Sequence, residues 1–131
     1  MNSYEHLMNN KPLTYLRQGQ FFVAVIIYSA LLLMPDPQLG RMSNSDFVLH
    51  ALGNAILMMS TWVASGGRYK AMGPFLFVIP FSLIIELAQG LTDNRTPELM
   101  DVVANTVGAL AGFLACSFMS SLLDKYLNTH K

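Results

Sequence analysis

Residues 46–64 read DFVLHALGNAILMMSTWVA, an apolar run of the length, about 20 residues, that a helix needs to cross the hydrocarbon core of a bilayer. Its polar residues are not scattered. Asp46, His50 and Asn54 recur at i, i+4 and i+8, so a helix lines them up on one face. Ionisable groups inside such a run are costly and commonly mark a site. The stretch therefore predicts a transmembrane helix and, on it, the start of a polar site.

Three further apolar runs accompany it, at residues 16–34, 72–91 and 96–123. Four crossings in 131 residues leave only short connections, which predicts an all-α integral membrane four-helix bundle, a single domain over residues 1–131. Composition agrees: 53% of residues are hydrophobic and 12% charged, with a mean hydropathy of +0.40, which no ordinary soluble domain shows. Eight basic and eight acidic residues cancel, so the chain lacks the basic excess by which nucleic-acid binders grip phosphates. Cys116 is the one cysteine, which removes a disulfide framework and a thiolate metal centre; we read it as a small filler facing lipid or a neighbouring helix. The first run ends in Pro35-Asp36-Pro37 rather than a small-x-small cleavage site, and reads as a retained anchor, the shortest of the four spans.

Local punctuation supports these limits. Pro35 and Pro37 close the first run, Gly66-Gly67 the second, and Gly90 stands near the end of the third. Ser43, Asn44 and Ser45 are N-cap candidates for the second helix, and Thr96-Pro97 places a capping hydroxyl and a first-turn proline before the fourth. Pro80 frees the carbonyl of Leu76 and bends the third span. The ends, residues 1–15 and 124–131, are expected to be mobile or interfacial. Lys11, Arg17, Arg68, Lys70, Lys125 and Lys131 lie on one side of this topology, so the positive-inside rule places both termini in the cytoplasm and the connection holding Arg95 outside.

With a rise of about 1.5 Å per residue, His50, Glu86 and Asp101 each lie roughly 6–7 Å beneath the outer ends of their helices. Asp101 and Asn105 share a face at i, i+4, as do Glu86 and Gln89 at i, i+3. Three helices thus each carry one polar stripe at a common depth, with Arg95 on the connection above. Gly108-x-x-x-Gly112, preceded by Ala104, forms a small-residue groove on the face of Asp101 and Asn105, a packing surface for another helix. Trp62, Tyr28 and the methionines are assigned to packing and lipid contact.

Asp46-x3-His50, Glu86-x2-Gln89, Arg95, Asp101-x3-Asn105 and the following Gly108 and Gly112 together resemble the pattern of the VanZ-like family, over nearly the whole bundle. One departure is Gly53-Asn54, where members often carry an aromatic and then an apolar residue. The resemblance implies a multi-pass protein of the bacterial cytoplasmic membrane. It also implies a link to the cell envelope and to antibiotic resistance, since the family's namesake lowers susceptibility to teicoplanin, a lipid-bearing glycopeptide.

The chemistry stays open between three readings. As an intramembrane hydrolase or transferase, slightly favoured here, the protein would use Glu86 or Asp101 as general base and His50 as its acid–base partner. Arg95 would clamp a phosphate or carboxylate, with Asp46, Gln89 and Asn105 completing the substrate-binding side. No serine, cysteine or threonine stands out as a nucleophile beside His50. As a carrier or headgroup-binding protein, it would need polar residues continuing inward, and only Ser60, Thr61 and Ser82 are found there. As a structural or accessory subunit, it would use the same residues as interhelical ties, with Glu86 or Asp101 paired to Arg95. No cofactor is assigned. A divalent metal among Asp46, His50, Glu86 and Asp101 is conceivable, although no H-x-x-x-H or H-E-x-x-H spacing supports it. The expected partners are membrane lipids, with an anionic headgroup as candidate ligand and a homo-oligomer left open.

Overall fold

The structure, a computed structural model, describes residues 10–33, 43–66, 71–91 and 98–129. These form four helices: α1 (Lys11–Leu33), α2 (Ser43–Ala64), α3 (Met72–Gln89) and α4 (Leu99–Thr129). No strand occurs among the described residues. All four are long and apolar enough to cross a membrane. Large apolar side chains such as Ile26, Leu76, Leu87 and Leu114 stand mostly exposed around the bundle, a surface far more apolar than a soluble monomer tolerates and suited to lipid.

Packing explains which faces turn inward. α2 and α4 make the most extensive contact, because α4 carries no side chain at the crossing points. A Cβ added to Gly108 would stand 2.0 Å from the carbonyl oxygen of Ala51, and one added to Gly112 would stand 2.7 Å from Cβ of Met58. The Gly108-x-x-x-Gly112 groove is therefore filled by α2 of the same chain. Ala104 and Ala109 on α4 are fully buried. Close approach of this kind supplies the van der Waals contact that holds helices together in lipid, where no hydrophobic drive exists between them.

Aromatic rings join the other helices. Phe21 of α1 meets Phe77 of α3 edge-on at 5.7 Å, Phe77 stacks on Phe81, and Phe75 of α3 meets Phe113 of α4 at 5.5 Å. Cys116 is buried among helices rather than facing lipid.

The helix limits differ from expectation at several ends, with α3 closing at Gln89 rather than 91 and α4 opening at Leu99 rather than 96. α1 begins at Lys11, five residues before the apolar run, and with 23 residues it is not the shortest span; α3, with 18, is. Thr14 continues the helix by bonding the Asn10 carbonyl. α2 begins at Ser43, so residues 43–45 form its first turn instead of preceding it; what their side chains do lies outside the described residues, as do Pro35, Pro37, Thr96 and Pro97. α4 runs on to Thr129, six residues past the apolar stretch, since nothing between Asp124 and Thr129 breaks a helix. Two expected stops are present. α2 ends in a turn with Gly66 at φ 67°, a left-handed conformation that favours glycine, and Gly90 follows α3 with its N–H on the carbonyl of Glu86. α3 continues unbroken through Pro80.

Candidate functional site

The site lies where the N-terminal turns of α2 and α4 meet. Asp46 and Asp101 each occupy the first turn of their helix, where the partial positive charge of the unsatisfied backbone N–H groups favours a carboxylate. One turn deeper on α2 stands His50, with no exposed surface. Its Nε2 is 3.8 Å from Oδ1 of Asp46 and 3.8 Å from Oδ1 of Asp101. Both separations exceed hydrogen-bonding range, and Nε2 has no hydrogen-bond partner among the described residues. The side chains of Asp46 and Asp101 keep 30% and 14% of their surface exposed. The two carboxylates thus form a rim, and the imidazole forms the floor.

The other face of the imidazole is fixed. Nδ1 lies 3.1 Å from Oδ1 of Asn105, which also accepts a 2.6 Å bond from Nδ2 of Asn54. With the amides in this orientation, Oδ1 of Asn105 can only accept, so Nδ1 carries the proton. Nε2 then turns its lone pair, or a second proton, toward the carboxylates. Asn54 further donates to the hydroxyl oxygen of Tyr28 at 2.7 Å and to the His50 carbonyl at 3.1 Å. This network joins α1, α2 and α4 in the buried centre.

Of the seven predicted site residues, Asp46, His50, Asp101 and Asn105 come together. Glu86 is 4% exposed on α3 and lies outside the group formed by Asp46, His50 and Asp101; it is within electrostatic range of Tyr28 instead. Gln89, also buried, donates a 2.5 Å bond to the carbonyl of Leu32 and so ties α3 to α1. Arg95 lies outside the described residues.

Two polar ties were missed, of which one belongs to the site. Tyr28, assigned to packing alone, is 5% exposed and places its hydroxyl on Asn54. The signal was available: a tyrosine in mid-span needs a partner for its hydroxyl. Gln20 exchanges two bonds with Ser60, its Nε2 donating to the Ser60 carbonyl at 2.9 Å and its Oε1 accepting from Ser60 Oγ at 2.5 Å. That tie between α1 and α2 lies about two turns from Tyr28 along α1, apart from the site. The departure at Gly53 also has a cause: a Cβ there would stand 3.0 Å from the ring of Tyr28.

Four membrane-length helices, bound by a buried polar network and opening at one end onto an imidazole between two carboxylates, define a multi-pass membrane protein with an intramembrane polar site. The family model described as VanZ/LLP1 matches residues 6–120, and the chain belongs to that family. Comparison with curated proteins and with solved structures gives no match.

Proposed function

We propose that this protein resides in the bacterial cytoplasmic membrane with both termini inside. There it binds the headgroup of an anionic envelope lipid, or of a lipid-linked cell-wall component, at an outward-facing site and processes it by proton transfer through His50. The observation that carries the reading is the fully buried Nε2 of His50, held by Asn105 from behind and turned toward two part-exposed carboxylates. An imidazole so fixed can accept or deliver a proton at one defined point, which is what general acid–base catalysis requires.

Asp46 and Asp101 orient the substrate and stabilise the charged imidazole. The anionic group needs positive charge, and Arg95, on the connection between α3 and α4, would supply a two-pronged donor for it. Apolar residues of α1 and α2, among them Ile27, Leu31, Leu52 and Ile56, line a groove whose wall includes Tyr28, one hydrogen bond from Asn54; the groove suits an acyl chain. The family's association with lipoglycopeptide susceptibility fits a protein acting on envelope lipids.

Native mass spectrometry of the purified protein with its co-purifying lipids tests this. A phospholipid or polyprenyl phosphate retained by the wild type should disappear in Arg95→Ala. His50→Gln should retain it but lose any chemically altered product. Lipid spectra identical in all three proteins would contradict the proposal. They would favour a structural role, for which the bonds joining Tyr28, Asn54 and Asn105 across three helices already speak.

A further inference from the structure

We infer that Asp46, His50 and Asp101 form a binding site for one divalent transition-metal cation of intermediate softness, such as Zn²⁺ or Fe²⁺. A cation on Nε2 takes the place of the proton assigned to His50 above, so metal and proton are alternative occupants of one position, and this inference stands without the acid–base reading. Two carboxylates and one imidazole converge here, a donor set of the kind that holds a divalent cation.

The three donor atoms are grouped at a spacing that one ion can bridge. Oxygen of Asp46, nitrogen of His50 and oxygen of Asp101 all lie within 4.8 Å of one another. Two donors bound about 2.1 Å from a tetrahedral ion stand about 3.4 Å apart. The observed 3.8 Å separations are within a few tenths of an ångström of that value, yet too long for direct hydrogen bonds. A bare Nε2 facing two carboxylates is repulsive unless positive charge sits between them.

The independent observation is the state of His50. It is fully buried and, among the described residues, Nε2 has no hydrogen-bond partner, an arrangement that leaves a buried polar atom unsatisfied unless something binds there. Its Nδ1, meanwhile, faces a side-chain carbonyl oxygen. Metal-binding histidines are held in that way, the second ring N–H donating to an oxygen that fixes the tautomer and aims the other nitrogen. Asp46 and His50 reach the ion as an i, i+4 pair from one helix face, and Asp101 completes the set from α4. Three protein donors leave one or more positions for water or for an oxygen of a ligand. The mixed nitrogen and oxygen set selects borderline ions over Mg²⁺ or Ca²⁺.

The test uses the full chain in detergent, with His6 and His130, the two other histidines, replaced by alanine. The protein is stripped with chelator, dialysed against Zn²⁺ and analysed for bound metal. One equivalent per chain is expected, with affinity reduced at least tenfold in Asp101→Asn and in Asp46→Asn, and 10- to 100-fold in Asn105→Ala through loss of the supporting bond. Glu98→Gln, which removes an exposed carboxylate at the same end of the bundle, should leave affinity unchanged. A measurement on the unaltered residues guards against misfolded variants: with ¹⁵N-labelled histidine, Zn²⁺ should move the Nε2 resonance of His50 while Nδ1 stays protonated. Substoichiometric binding, equal affinity in Asp101→Asn, or a His50 resonance indifferent to Zn²⁺ would overturn the inference, whatever the lipid experiment shows.

Discussion

Gly108→Ala tests the packing that builds the site. The added methyl would start 2.0 Å from the carbonyl oxygen of Ala51, whereas ordinary contact begins at 3.4 Å. The obstacle is backbone, which cannot rotate away, so α2 and α4 must part by about 1.4 Å near this point. One turn along α4, that displacement carries Asn105 out of reach of both His50, now at 3.1 Å, and Asn54, now at 2.6 Å. Overpacking costs about 1–3 kcal/mol, and interhelical hydrogen bonds in membranes are worth about 0.6 kcal/mol each. The expected loss is therefore about 2–4 kcal/mol, measured as unfolding free energy by steric trapping in bicelles. Two glycines calibrate it. Gly112→Ala meets Cβ of Met58 at 2.7 Å and the carbonyl oxygen of Ala55 at 3.0 Å and should cost less, because the helices need part there by less than at Gly108. Gly19→Ala has nothing within 4 Å and should be neutral or stabilising by up to about 1 kcal/mol, since alanine favours a helix. If Gly108→Ala proved no worse than Gly19→Ala, the close crossing of α2 and α4 would be wrong, and with it the placement of Asp101 beside His50.

Asn54→Leu should lower stability by about 1–2 kcal/mol, as its bonds to Tyr28 and Asn105 are lost together, and unfolding by the same assay checks this. Tyr28→Phe removes only the hydroxyl and should cost about 0.5–1 kcal/mol, with no more than an additive effect when combined with Gln20→Leu, because the two ties to α2 are separate. In a Cys116→Ala background, a cysteine replacing Arg95 should react with a membrane-impermeant maleimide from outside intact cells, and one replacing Lys70 only after lysis; the reverse pattern would invert the proposed topology.

Much of the site was legible because helix periodicity is rigid. The i, i+4, i+8 spacing of Asp46, His50 and Asn54 fixes their common face whatever surrounds the helix, and Gly108 with Gly112 marks where another helix can approach. These spacings say nothing of the relative rotation of two helices. Counting along the apolar runs puts Glu86 and His50 at one depth, yet Glu86 lies outside the carboxylate–imidazole group, because the turn of α3 about its own axis is set by Phe75, Phe77 and Phe81 against α1 and α4. Tyr28 was misjudged for a related reason: its ring packs as expected, while the role of its hydroxyl depends on Asn54, 26 residues away. Asp46-x3-His50 gives two donors the same helical geometry as an H-x-x-x-H pair. Helix ends were the least legible feature, because the apolar run marks the hydrocarbon core while α1 and α4 extend beyond it.

The central claim is that residues from α2 and α4 face one another across a single site. Disulfide formation between Asp46→Cys and Asp101→Cys, in a Cys116→Ala background under mild oxidation in native membranes, tests it most directly. The account predicts rapid intramolecular cross-linking of this pair and none for Asp46→Cys with Val103→Cys, since Val103 is exposed on another face of α4. Cross-linking of the first pair no faster than the second would mean that the two carboxylates do not share a site.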